Sequence, residues 1–200
     1  MLKNPYSGKF IVFEGLDGSG KTTQVALLAK HFKKEKQKVH LTAEPTNFAI
    51  GKLIKSYVSG HSKISNKCLQ LLFTADRAYH LEKEIIPLLK KGTIIICDRY
   101  FLSTLAYGAL DVDFDWLLNL NKNFILPDIT FLLKVSPEIC IKRIKKERSS
   151  RTLFEKETKL KKVWQNYQKL AQQFKNIYLI DGEKPINEIS NEIKKILTSK

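Results

Sequence analysis

The chain has 200 residues, of which 43% are hydrophobic, and it carries a formal net charge of +15. This length suits one domain with one sizeable core, and no stretch approaches the roughly 20 apolar residues that a membrane helix needs. The N-terminus lacks the apolar run of a secretory signal, and the 3 cysteines are too widely spaced for a disulfide framework or a zinc cluster. We therefore expect a soluble, cytoplasmic protein that folds as a single domain over residues 1–200.

The positive charge lies largely on lysines spread over predicted helix faces, which usually indicates solvated surfaces. A nucleic-acid interface would interleave aromatic residues with a basic stripe, and the sequence contains no such pattern. We predict neither a nucleic-acid nor a membrane partner. Binding of small polyanionic substrates is another reason for a protein to carry excess positive charge.

Five short apolar segments predict strands, and nearly all are rich in β-branched or aromatic residues. They cover residues 9–14, 38–43, 93–98, 129–135 and 176–181. Segments with helical spacing separate them, and this alternation predicts a parallel sheet with helices on both sides. The predicted fold class is therefore α/β, with three layers.

Apolar faces predict helices between these strands. The first face comprises Val25, Leu28, Ala29 and Phe32, and that of a long central helix comprises Leu71, Leu72, Ala75, Ala78 and Ile85. Pro87 should kink the central helix or end its regular part, because proline lacks the backbone donor, and Gly92 should stop it. After the fourth strand, Ser136 and Pro137 predict the immediate start of another helix.

A glycine-rich segment follows the first predicted strand and opens the first predicted helix. From Gly15 to Thr22 it reads G-x-x-x-x-G-K-T, which in this context is the P-loop motif. Its glycines let backbone N–H groups converge on phosphate oxygens. We predict that Lys21 reaches the β- and γ-phosphates of a nucleoside triphosphate and that the Thr22 hydroxyl ligates Mg²⁺. The predicted triphosphate-binding residues are Gly15, Leu16, Asp17, Gly18, Ser19, Gly20, Lys21, Thr22 and Thr23.

Asp98 and Arg99 end the third predicted strand. The carboxyl ends of neighbouring parallel strands face the same crevice, so Asp98 can hold the metal or its water there. Arg99 places a bidentate cation within reach of transferring phosphates. The guanine-reading N-K-x-D and a D-x-x-G switch after the third strand are both absent from the sequence, which favours a kinase of small molecules.

Six motifs, taken in order, give the chain a resemblance that covers nearly its whole length. They read FEGLDGSGKTTQ, EPT with IGKLI, LLFTADRAYHLEKEIIPLL, DRYFLSTLAYG, PDITFLLKVSPEICIKRI, and RTLFE with VWQNYQKLA. In order and spacing the chain resembles the thymidylate (dTMP) kinases. The resemblance implies a P-loop NTPase fold around a five-stranded parallel sheet, and commonly a homodimer. It also implies transfer of the γ-phosphoryl group of MgATP to dTMP, giving dTDP and ADP for dTTP synthesis.

The resemblance assigns roles on the acceptor side as well. Phe73 and Arg77 lie four residues apart on one predicted helix, so a ring and a guanidinium can meet one pyrimidine. Asp17 matches an acid that contacts the 3′-hydroxyl, and Tyr107 matches an aromatic residue that crowds the 2′ position. The implied dTMP-binding residues are Asp17, Glu44, Lys55, Phe73, Arg77, Arg99, Ser103, Thr104 and Tyr107.

The segment 146–154 resembles the lid of this family. Its Arg148 or Arg151 is expected to stabilise the charge that develops on the transferring phosphoryl group, because the P-loop here carries no arginine. Arg143 matches a residue that lies against the adenine of ATP. The predicted catalytic residues are Lys21, Asp98, Arg99, Arg148 and Arg151, and the predicted metal site comprises Thr22 and Asp98.

Three departures from the family pattern lie near the acceptor. Ala43 and Gly108 stand where many bacterial relatives have arginine and glutamine, and Lys55 stands where an arginine usually grips the dTMP phosphate. Lysine cannot make the same bidentate fork, so the choice between dTMP, dUMP and other acceptors is left open. The alternatives are a deoxynucleoside kinase, with Glu14 as the candidate base, another monophosphate kinase of this fold, or a nucleotide-dependent binding protein.

Overall fold

The computed structural model describes residues 1–60, 63–145 and 153–199. The strands are β1 (Phe10–Gly15), β2 (Val39–Ala43), β3 (Ile94–Asp98), β4 (Ile129–Lys134) and β5 (Ile177–Asp181). The helices are α1 (Lys21–Lys34), α2 (Ala49–Val58), α3 (Asn66–His80), α4 (Ile86–Lys90), α5 (Phe101–Gly108), α6 (Phe114–Asn121), α7 (Pro137–Lys145), α8 (Leu153–Gln173) and α9 (Ile186–Thr198). A π-helical segment, Leu81–Ile85, joins α3 to α4.

Within the described residues, the strands form a five-stranded sheet in the order β2-β3-β1-β4-β5, and every neighbouring pair is parallel. The predicted strand limits are confirmed to within one residue. Asp98 is level with Phe13 on one side and with Ala43 on the other. The segments that follow β1, β2 and β3 therefore meet at one edge of the sheet, where parallel sheets place their ligands.

Apolar side chains pack on both faces of the sheet. Alternate residues of a strand point to opposite faces, so Val12 packs in the cluster that contains residues of α5 and α8, whereas Ile11 packs with α1 and α9. The predicted α1 face is confirmed, because Val25, Leu28, Ala29 and Phe32 are all buried. Helices on both faces of a parallel sheet confirm the predicted three-layer α/β fold.

The predicted apolar face of the central helix is wrong in its first half. Leu71 and Ala78 are exposed, whereas Arg77 and His80 are buried. Within the π-helical segment the buried residues are Leu81 and Ile85, and in α4 the buried residue is Leu89. A π turn takes about one residue more than an α turn, so it rotates everything after it by roughly 100°. One constant helical period across both halves therefore placed the wrong side of α3 in the core.

The predicted breaks in the chain are confirmed. Regular α3 ends at His80, and Pro87 lies in the first turn of α4, just after the π-helical segment. Gly92 ends α4 with a left-handed φ of 72°, and α7 begins at Pro137 as expected. In the part of the chain that the structure describes, the helices are all too short or too polar to cross a membrane.

Candidate active site

The P-loop surrounds the buried side chain of Lys21. Its Nζ donates hydrogen bonds to the carbonyl oxygens of Gly15 at 3.2 Å and Leu16 at 2.8 Å. Gly18 is left-handed, with φ of 81°, and a Cβ there would lie 2.6 Å from the carbonyl oxygen of Cys140. The loop thus holds the lysine at the N-terminus of α1, in a backbone conformation that only glycine adopts without strain.

Lys21 lies in surroundings that disfavour its positive charge. Burial, followed by the charge of Arg99, lowers the pKa of Lys21 from 10.5 to about 8, although nearby carboxylates oppose the shift. A polyphosphate bound beside it would supply compensating negative charge. The site is therefore electrostatically suited to an anion.

Thr22, in the first turn of α1, meets Asp98 at the end of β3. The Thr22 hydroxyl donates to Oδ2 of Asp98 at 2.8 Å. Within the described residues, the other carboxylate oxygen of Asp98 is buried without a hydrogen-bond partner. Hydroxyl and carboxylate oxygens are the hard ligands that Mg²⁺ prefers, usually together with substrate phosphates. The residues present therefore fit a magnesium ion that binds with a nucleotide.

Arg99 connects the end of β3 to the P-loop. Its backbone is left-handed, with φ of 73°, and its N–H donates to the carbonyl oxygen of Phe13 at 2.9 Å. Its NH2 donates to Asp17 at 2.5 Å and its NH1 donates to the Ser103 hydroxyl at 2.8 Å. The guanidinium carbon also lies 5.2 Å from the centre of the Tyr107 ring. The structure thus brings together four residues predicted from the sequence.

Asp17 and Tyr107 form the open side of this group. The backbone N–H of Asp17 donates to the Tyr107 hydroxyl at 3.2 Å, while the Asp17 side chain is 63% exposed. Although burial opposes the change, the charges of Arg99 and Lys21 lower the pKa of Asp17. Burial raises the pKa of Tyr107 to about 12. An ionised acid and a neutral phenol therefore border the cleft beside Arg99.

Glu14, near the end of β1, is fully buried. Its oxygens accept hydrogen bonds from the backbone N–H groups of Tyr100 and Ser103. They also accept from the hydroxyls of Ser103 and Tyr167. Burial raises the pKa of Glu14, and Arg99 and these donors act against that rise. A carboxylate enclosed in this way anchors its neighbours and is shielded from a substrate hydroxyl.

Arg77 carries a second buried charge, on α3. Its side chain is 1% exposed, and its Nε and NH2 donate to the same Glu44 oxygen at 2.9 and 2.6 Å. NH2 also donates to the Thr104 hydroxyl at 3.0 Å, and NH1 donates to Oδ1 of Asn121 at 2.5 Å. The second Glu44 oxygen lies 3.2 Å from Nδ1 of His80. Acceptors from the segment after β2, from α5 and from α6 therefore fix the guanidinium in one orientation.

A cleft of about 220 Å³ opens beside the P-loop. Arg143 spans one side of it, with NH1 3.5 Å from the carbonyl oxygens of Gly18 and Ser19 and NH2 3.2 Å from that of Gly182. The lining residues are Ser19, Gly20, Thr23, Gln24, Arg143, Gly182, Lys184, Ile186 and Ile189. Polar and apolar groups next to the P-loop suit the base of a nucleotide whose phosphates bind the loop.

Comparison with known proteins places this site in a family. The family model described as Thymidylate kinase matches residues 13–193. The chain belongs to the thymidylate kinase family. It is 45% identical over 194 residues to the "Probable thymidylate kinase" of Thermococcus onnurineus (strain NA1), a match that covers 92% of this chain and 94% of that protein. It is also 37% identical over 201 residues to the "Thymidylate kinase" of Plasmodium falciparum (isolate 3D7), covering 99% and 93% of the two chains.

Membership in the thymidylate kinase family confirms the resemblance and the expected class of enzyme, a nucleoside monophosphate kinase. The roles of single residues stay predictions. Phe73 lies half-buried on α3, one turn before Arg77. Lys55 is exposed on α2, where its Nζ donates to Oδ1 of Asn47 at 2.7 Å. The predicted lid arginines, Arg148 and Arg151, lie outside the described residues.

Three residues of this thymidylate kinase site were not predicted from the sequence. Asn121 and His80 hold the Arg77–Glu44 pair, and Tyr167 on α8 reaches Glu14 from 153 positions along the chain. Tyr167 belongs to the motif VWQNYQKLA, but the resemblance assigns no role to it. For all three, the available signal was a polar group among apolar helix positions, which does not identify the partner.

Proposed function

We propose that the protein transfers the γ-phosphoryl group of ATP to dTMP, giving dTDP and ADP as a step in dTTP synthesis. The observation that carries the proposal is the hydrogen-bonded ion pair between Asp17 of the P-loop and Arg99, which follows β3. This contact supports the proposal because the acid that we assign to a sugar hydroxyl lies beside the cation that we assign to the transferring phosphates. A donor site and an acceptor site therefore share one edge of the sheet. The names of the relatives support dTMP as the acceptor.

The chemistry asks for positioning and neutralisation of charge, because the acceptor phosphate is already an anionic nucleophile. Lys21 and Arg99 supply positive charge on either side of the migrating phosphoryl group. An arginine of the lid, Arg148 or Arg151, supplies a further positive charge. Mg²⁺, held by Thr22 and Asp98 when ATP is bound, supplies further neutralisation of the ATP phosphates. Arg143 lies against the adenine.

The acceptor base is recognised from α3. Phe73 stacks on the pyrimidine, and Arg77 donates to its carbonyl oxygen. A guanidinium has five N–H donors, and the hydrogen bonds to Glu44, Thr104 and Asn121 use 4 of them among the described residues. The remaining N–H, on NH1, is the donor that we assign to the base.

The rest of the acceptor site follows from the same group of residues. Ser103 and Thr104 provide polar groups near the base, Tyr107 restricts the 2′ position, and Lys55 binds the acceptor phosphate. The environment of Glu14 disfavours the rival nucleoside kinase, which needs a general base for its hydroxyl acceptor. Four donors occupy the buried Glu14 carboxylate. A monophosphate acceptor needs no such base.

We also propose a homodimer in the cytoplasm. Large apolar side chains are exposed on neighbouring helices α2 and α3: Leu53, Val58, Leu71 and Tyr79 are 43%, 63%, 47% and 39% exposed. Such a face suits a self-complementary interface with a two-fold axis. The free thiols of Cys68, Cys97 and Cys140 suit a reducing compartment.

A coupled assay of ADP release tests the proposal. With MgATP and a panel of dTMP, dUMP, UMP, CMP, AMP and thymidine, we expect the highest kcat/KM with dTMP. Turnover of thymidine without turnover of dTMP would establish a nucleoside kinase instead. ATP hydrolysis stimulated by DNA at physiological salt, with no turnover of the panel, would establish a nucleic-acid-dependent protein.

A further inference from the structure

Two hydroxyl groups lie between the buried carboxylate of Glu14 and the guanidinium of Arg99. The Ser103 and Tyr167 hydroxyls lie 2.5 and 2.9 Å from the same oxygen of Glu14, and 3.0 Å from each other. On their other side, NH1 of Arg99 is 2.8 Å from the Ser103 oxygen and 3.5 Å from the Tyr167 oxygen. Tyr167 is fully buried.

The chemistry of these groups fixes where their hydrogens point. Each hydroxyl donates its one hydrogen to the same oxygen of Glu14. Each hydroxyl oxygen then presents lone pairs to Arg99, which only donates. Glu14 therefore orders two hydroxyl dipoles so that both attract the guanidinium.

We propose that Tyr167, together with Glu14, is a positioning residue that holds Arg99 in its catalytic orientation; this inference rests on the proposed kinase function. Tyr167 does not touch the substrates in this scheme. It acts through Arg99, and it lies on α8, the helix that follows the predicted lid.

The Ser103 and Tyr167 hydroxyls separate Glu14 from Arg99, and this arrangement differs from a direct ion pair in how Arg99 is held. Among the described residues, the carboxylate in direct contact with Arg99 is Asp17, which is 63% exposed, rather than the buried Glu14. A buried ion pair would bind the guanidinium tightly and neutralise its charge. The hydroxyls hold NH1 through neutral groups and leave NH2 to the exposed Asp17 at the cleft. Among the described residues, the direct carboxylate partner of Arg99 thus lies on the open side of the cleft, where phosphate oxygens can reach the same guanidinium.

Tyr167→Phe removes one hydroxyl and keeps the ring, so it tests the proposal directly. We expect kcat/KM for dTMP to fall about tenfold, as for loss of one hydrogen bond near a charged group. The dissociation constant of ADP, a probe of the donor site, should change less than about twofold. Tyr6→Phe, at a half-buried tyrosine near the N-terminus, is the control and should keep full activity.

A double-mutant cycle with Arg99→Ala separates positioning from general packing. If Tyr167 acts through Arg99, Tyr167→Phe should cause no further loss in the Arg99→Ala background. An equal loss in both backgrounds, or full activity of Tyr167→Phe alone, overturns the inference. If Tyr167→Phe does not fold, Glu14→Gln takes its place in the same cycle with the same expected outcome. Absence of dTMP turnover by the wild-type protein would instead overturn the proposed function, so the two failures are distinguishable.

Discussion

The carboxylate of Glu44 accepts two hydrogen bonds from Arg77, from Nε at 2.9 Å and from NH2 at 2.6 Å, and both side chains are buried. Glu44 follows β2, whereas Arg77 lies on α3. The pair therefore joins the edge of the sheet to the helix that carries the proposed base-binding residues. Both charges are buried away from water, so each side chain needs the other as its counterion.

Glu44→Ala should destabilise the protein by about 3–5 kcal/mol, because it leaves the Arg77 charge buried without a counterion. The free energy of unfolding from urea denaturation measures this. Glu82→Ala is the matched control, since Glu82 is 68% exposed in its pair with Lys83, and it should cost less than about 0.5 kcal/mol. Equal losses in both variants would contradict the account of the pair.

Lys55→Arg should improve the grip on the acceptor phosphate. A guanidinium binds phosphate through two parallel hydrogen bonds, whereas an ammonium binds as a point charge. We expect the KM for dTMP to fall about fivefold with kcat little changed. Lys52→Arg, at an exposed position three residues earlier on α2, should leave the KM unaltered. An unchanged KM in Lys55→Arg would remove Lys55 from the acceptor site.

Binding of ADP should take up a proton at Lys21. In the free protein burial lowers the pKa of Lys21 from 10.5 to about 8, and bound phosphates favour the charged form and raise it again. Uptake at Lys21 should therefore appear above about pH 8 and become small near pH 7, where Lys21 is already mostly protonated. Calorimetry in buffers with different ionisation enthalpies measures it. Lys30→Met, on the exposed side of α1, should preserve the uptake, and Lys21→Met should abolish it.

The depressed pKa of Lys21 also sets a pH dependence of folding. Between about pH 8 and 10.5 the unfolded chain binds more protons than the folded protein, so the contribution of this group to stability rises with pH across that interval. A flat difference in unfolding free energy between wild type and Lys21→Met over this range would contradict the assigned pKa.

Asp98→Asn should weaken the use of Mg²⁺. The substitution removes the negative charge of the side chain that accepts from Thr22. We expect the Mg²⁺ concentration for half-maximal activity to rise about tenfold or more. Asp111→Asn, at an exposed carboxylate, is the control. Identical magnesium titrations of Asp98→Asn and wild type would exclude Asp98 from the metal site.

Leu71→Glu should convert the proposed dimer into a monomer, because it places a charge among the exposed apolar side chains of α2 and α3. Sedimentation velocity measures the mass. Leu179→Glu provides a comparison on β5, at a leucine that is 51% exposed, and it should leave the mass unchanged. A wild-type protein that sediments as a monomer would dismiss the homodimer.

The sheet could be predicted closely from the sequence, because its strands are short apolar runs bounded by clear breaks. The central helix could not. Its predicted face assumed one helical period, and the π-helical segment Leu81–Ile85 changes that period within the helix. Propensity and spacing carry no reliable signal for the one additional residue in this turn.

The donor half of the site followed from the P-loop motif, since the backbone conformation of such a loop is local. The structure brings Lys21, Thr22, Asp98 and Arg99 together as predicted. Long-range partners were harder to foresee. The sequence makes Glu14 a candidate base, yet its surroundings depend on Tyr167, whose position is set only by the packing of α8.

The π-helical segment also holds one residue more than an ordinary helical turn between Arg77 and Leu89. Loss of one residue there would restore an α turn and keep both ends in place, with Arg77 on Glu44 and Leu89 in the apolar core. An added residue, or the loss of a second one, would rotate one end against the other by roughly 100°. Residues 33–38, which form the turn around Lys36, are all exposed, so a change of length there displaces no buried side chain. Related chains should therefore vary freely in length at that turn, and in the central helix only by loss of the one residue of the π turn.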